Sequence, residues 1–118
     1  MNSPVYLVVE PMQIVATDLA MIVSDYDTTA TVLIALTLDA ACDIIMKHPA
    51  VRLAFVHSDP TSFGDTALSR ALKDRCAQVV FTGDAAERKG GGMLVLHRPF
   101  SAETTAGVLQ CAKISQGA

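Results

Sequence analysis

The chain has 118 residues and a formal net charge of -3, with 51% apolar and only 5% aromatic residues and no Trp. That length suits one domain, residues 1–118, with a single aliphatic, alanine-rich core, and excludes two cores. The acidic balance and the lack of any basic run longer than Arg88-Lys89 argue against a nucleic-acid partner. Cys42, Cys76 and Cys111 are an odd number without CxxC spacing, so buried reduced thiols are expected rather than a disulfide or zinc framework. The N-terminus has no basic region ahead of an apolar core, and no apolar stretch reaches the length of a membrane span. A cytoplasmic protein with no membrane segment is the expectation.

Five apolar runs of strand length recur along the chain: Val5–Val9, Ala30–Ala35, Arg52–Val56, Gln78–Phe81 and Met93–Leu96. None alternates cleanly with polar residues, which predicts parallel strands buried on both faces. Between them the period becomes helical. Ile14, Val15, Leu19, Ile22 and Val23 form a stripe that predicts a helix from Met12 to Ser24, with Pro11 at its first turn. Thr37 is a suitable N-cap for a second helix ending before Pro49. Ser62 and Asp65 have capping-box spacing ahead of Ala67, Leu68, Ala71 and Leu72. Ten residues, Gly83 to Gly92, separate Thr82 from Met93. That leaves room for one turn from Asp84, ended by Gly90-Gly91-Gly92, rather than a full helix. Ser101 caps a last helix carrying Ala106, Leu109, Ala112 and Lys113. Right-handed crossovers then give a doubly wound, three-layer α/β sandwich with a five-stranded parallel sheet and a shortened fourth helix.

The runs stop abruptly at polar residues, where a parallel sheet delivers side chains to its C-terminal edge. These are Glu10-Pro11 after Val9, His57 after Val56, Thr82 after Phe81, and Arg98 before Pro99-Phe100. In order and spacing, from Tyr6 to about Lys113, the chain resembles the receiver domain of bacterial response regulators, in its degenerate, stand-alone form. The resemblance implies a flavodoxin-like fold with the sheet in the order 2-1-3-4-5, and a site of two adjacent acids, an acceptor aspartate, a Ser/Thr and a lysine, holding Mg²⁺ and a phosphoryl group. Here Pro11 replaces one acid, His57 stands at the former phosphoacceptor position and Arg98 at the lysine; Thr82 is kept, and Val95 stands where an aromatic is common. Glu10, Pro11, His57, Thr82 and Arg98 thus form a pseudo-active site. One carboxylate and an imidazole are a poor donor set for Mg²⁺, so no cofactor, no metal and no catalysis are expected.

His57 has two readings. As a functional group it is a pH switch or soft-metal ligand; as a structural one it is a neutral imidazole bonded to Glu10 or to backbone, filling the vacated site. Arg98 is expected to pair with Glu10, or with Thr82 and His57 to form an anion pocket. Asp59 reads as a turn residue before Pro60, with a displaced phosphoacceptor as its rival. His48 and His97 read as surface residues. The resemblance implies protein partners such as a histidine kinase, a phosphotransfer protein or a regulator. Arg98, Pro99 and Phe100 with the last helix are the expected partner face, also compatible with a homodimer. The alternatives are a protein binding a small anion or small molecule in the former pocket, or a receiver phosphorylated at an atypical site.

Overall fold

The computed structural model describes residues 4–89, 93–98 and 100–117, without the side chains of residues 89 and 113–117. The strands are β1 (Val5–Val9), β2 (Thr31–Ala35), β3 (Val51–His57), β4 (Gln78–Thr82) and β5 (Leu94–Val95). The helices are α1 (Gln13–Tyr26), α2 (Leu38–Lys47), α3 (Pro60–Phe63), α4 (Ala67–Asp74), α5 (Asp84–Lys89) and α6 (Ala102–Gly117). All pairings are parallel and the order is β2-β1-β3-β4-β5, as the resemblance implies.

Alternation along β1 sorts the core into two layers. Tyr6 and Val8 face a cluster with Ala16, Leu19 and Val23 of α1 and Leu109 and Ala112 of α6. Leu7 and Val9 face the other side, with Ala41, Ile45, Phe63, Leu68 and Leu72 from α2 to α4. Full burial of side chains such as Leu7, Phe55 and Leu96 stabilises the fold by about 1.5–3 kcal/mol each. Aromatic Tyr6, Phe55 and Phe63 join the aliphatic core, and Phe63 meets Phe81 edge-on at 5.5 Å between ring centroids.

Several local expectations change. Pro11 lies outside α1, whose N-cap is Met12. Thr37 caps α2 by accepting from the Ala40 N–H at 3.0 Å, and Ser101 Oγ accepts from the Thr104 N–H at 3.1 Å ahead of α6. The Ser62–Asp65 capping box does not form. Ser62 lies inside the short α3, and Thr66 caps α4 by accepting from the Ser69 N–H at 3.1 Å. A helix interrupted after Phe63 needs a cap at each start, and the extended backbone of Thr66 supplies the second. Cys76 takes φ 56, a left-handed turn that ends α4 without the usual glycine. That turn leaves Cys76 exposed; Cys111 is exposed and Cys42 half-buried, so the three free thiols are not the buried set expected. β2 is not buried on both faces: Thr31 and Ile34 are exposed, because β2 closes one side of the sheet. The Gly90–Gly92 run and Pro99 lie outside the described residues, as does the Lys113 side chain. Among the described residues no helix is long and apolar enough to cross a membrane.

Candidate functional site

The register builds the site. Val9 pairs with Val56, so the next residue on each chain, Glu10 and His57, comes off neighbouring strands at the same edge. His57 in turn pairs with Thr82 of β4. The Glu10 N–H donates to the Ala35 carbonyl at 3.0 Å, which fixes its backbone between β2 and β3.

Glu10 is 5% exposed and fully engaged. Its Oε2 accepts from the Met12 N–H at 2.7 Å, and its Oε1 lies 3.0 Å from His57 Nδ1. The imidazole is held from its other side by Gly83. A Cβ at that position would lie 2.9 Å from His57 Cε1, and Gly83 has φ +101, so space and backbone both require glycine. His57 thus meets Glu10 on one side and Gly83 on the other. Thr82 is buried, at 3% exposed, beside this pair.

Arg98 does not pair with Glu10. Its Nε and its backbone N–H both donate to Glu87 Oε2 at 3.1 Å, and its guanidinium also pairs with the Asp84 carboxylate. Two features explain the difference. Both Glu10 oxygens are already taken, and α5 presents Asp84 and Glu87 at i, i+3 spacing, side by side on one helix face. That spacing was visible in the sequence and is the signal that finds the clamp. Its hydrogen bonds with Arg98 hold the Glu87 carboxyl below its usual range, while Glu87 first and Asp84 second push Arg98 further up. The anion pocket of Arg98, Thr82 and His57 loses its cation to these two carboxylates.

The remaining candidates separate from the site. Asp59 caps α3, accepting from the Thr61 N–H at 2.9 Å, in keeping with its turn reading. His48 and His97 are exposed. Arg98 and Phe100 line a shallow groove of about 490 Å³ with Ile14, Val15, Asp18 and Met21 of α1. The sequence did not assign α1 to that face. Among the described residues no group of three His, Cys, Asp or Glu side chains is placed to hold a metal ion.

An open parallel sheet ordered 2-1-3-4-5, with helices on both faces and its polar residues at the C-terminal edge, defines a receiver-like domain. No protein-family model matches the chain, and no curated protein matches it. Solved structures do. The N-terminal domain of a response regulator/sensory box/GGDEF 3-domain protein from Carboxydothermus hydrogenoformans superposes with TM-score 0.72 at 19% identity, covering 96% of this chain and 97% of that one. SdrG from Sphingomonas melonis Fr1 gives TM-score 0.72 at 19% identity over 96% of this chain and 99% of that one. The anti-anti-sigma factor PhyR from Bartonella quintana gives TM-score 0.77 at 18% identity, with 99% of this chain covering 50% of that protein. The chain has the fold of response regulator receiver domains.

Proposed function

We propose that this chain is a two-component signalling module that acts by protein contact, without Mg²⁺-dependent acyl-phosphate chemistry and without catalysis of its own. The observation that carries this reading is the Glu10–His57 pair. At the receiver's acceptor position stands an imidazole 3.0 Å from one Glu10 oxygen, and the other oxygen of that carboxylate accepts from the Met12 N–H. Mg²⁺ needs several hard oxygen donors in near-octahedral geometry, and Pro11 supplies none from its side chain. Without that charge, phosphoryl transfer loses its main electrostatic stabilisation. The partners are signalling proteins, a histidine kinase, phosphotransfer protein or regulator. The contact face is the groove where Ile14 and Met21 of α1 meet Arg98 and Phe100.

The test is exposure of the intact protein to acetyl phosphate, and separately to beryllofluoride, with and without Mg²⁺. Unchanged mass and an unchanged amide spectrum are expected. A stoichiometric Mg²⁺-dependent adduct, mapped by mass spectrometry to His57 or Asp59, overturns the reading and favours an atypically phosphorylated receiver.

A further inference from the structure

β2 stands at the open side of the sheet, five residues long and paired without a break to β1 from Val5↔Thr31 to Val9↔Ala35. The Thr31 N–H donates to the Pro4 carbonyl at 2.9 Å, and the Ala35 carbonyl accepts from Glu10. Backbone groups of successive strand residues face opposite sides, so Thr31, Leu33 and Ala35 pair inward with β1. Val32 and Ile34 therefore carry their N–H and C=O groups on the outer side. Sheet edges in soluble proteins are normally blunted by Lys, Pro, a bulge or a covering segment. From Thr28 to Leu38 the chain has no charge, no Pro and no Gly, and the β2 register has no bulge. Ile34 is 37% exposed and Leu36 41% exposed at the same edge.

The surroundings of this edge have one sign. Residues 1–46 carry six Asp and Glu residues and no Lys or Arg; Lys47 is the first cation. Asp25 on α1, and Asp39 and Asp43 on α2, are exposed on the helices that pack beside β2. A second copy laid edge to edge would set these carboxylates against their own kind, which disfavours self-pairing. An extended segment with cations at its ends meets no such repulsion. We propose that β2 is a docking edge for an extended segment of a partner protein, apolar at alternate positions and flanked by Lys or Arg, which adds as a sixth strand. The proposal rests on the reading of the chain as a protein-contact module and supplies the chemistry of one partner. Main-chain hydrogen bonds to Val32 and Ile34 give the docking its strength, and the acidic flanks give it polarity and selectivity.

The experiment titrates the ¹⁵N-labelled full chain with a short synthetic peptide of alternating Val and Thr closed by Lys pairs, and with its Glu-closed counterpart. The Lys-closed peptide is expected to slow amide exchange at Val32 and Ile34 by about tenfold or more at saturation, with weaker binding at high salt. Ile34→Lys is expected to abolish this protection. Ile34→Pro serves as the second variant, because it removes an outward N–H and leaves the β1 ladder intact. Equal binding of the Glu-closed peptide, no protection at Val32 and Ile34, or shifts confined to the α1–Phe100 groove each overturn the proposal. So does a concentration-dependent dimer of the chain that Ile34→Lys dissolves. None of these outcomes touches the acetyl phosphate result, so the two readings fail separately.

Discussion

Gly83→Ala tests the geometry that holds His57. Two costs arise at this position and can be separated. The backbone sits at φ +101, where an L-residue is strained by about 1–2 kcal/mol. The new methyl also enters the imidazole, 2.9 Å from Cε1, 3.1 Å from Nε2 and 3.2 Å from Nδ1. The ring has little freedom to retreat because Nδ1 is bonded to the buried Glu10. Relieving the overlap should cost a further ~1 kcal/mol, at the low end for overpacking because His57 is partly exposed. Gly83→Ala is therefore expected to lose about 2–3 kcal/mol in urea denaturation, or roughly 8–12 °C in Tm for a domain of this size. In a His57→Ala background the steric part disappears, and the same substitution should lose only the backbone part, about 1–2 kcal/mol. An identical loss in both backgrounds refutes the placement of the imidazole against Gly83, and with it the wedge that keeps His57 on Glu10.

Glu10→Ala leaves the Met12 N–H and His57 Nδ1 without their acceptor and should cost about 2–3 kcal/mol, measured by the same denaturation series. Glu10→Gln keeps one acceptor oxygen for the Met12 N–H and should cost less than half of that in the same denaturation series. For Glu87 the folded carboxyl lies below its ordinary 4.5, so its contribution is present above that pH and fades as acidification carries it through its lowered value. Arg98→Ala should move the Glu87 midpoint in a carbon-detected NMR titration back up toward 4.5 and make stability less dependent on pH below it.

Five uninterrupted apolar runs made a buried parallel sheet legible, the receiver resemblance supplied its strand order, and the Glu10–His57 edge followed from where the runs stop. What the sequence hid was competition between neighbours. Arg98 had one acidic candidate when only strand ends were weighed. Once α5 forms, Asp84 and Glu87 are the nearer acceptors, and Glu10 has already been claimed by Met12 and His57. The Thr66 cap was missed because Ser62 and Asp65 match a spacing rule that takes no account of Pro60 starting a helix of its own. Exposure along β2 was missed for a related reason. Ala30–Ala35 is as apolar as the central strands, so its composition predicts burial even though the expected order 2-1-3-4-5 leaves it with a single neighbour.

These substitutions act together on the C-terminal edge of the sheet. In the receiver pattern an acidic cluster with a metal ion faces a lysine, and the cluster's excess negative charge is what a cation must offset. Here Pro11 follows Glu10, and Glu10 meets the Met12 N–H and His57 Nδ1. Arg98 lies away from that pair and is bound by the carboxylates that α5 supplies. The clamp of Arg98 on Asp84 and Glu87 ties α5 to the segment leading into α6, so charge at this edge is matched by contacts within the chain.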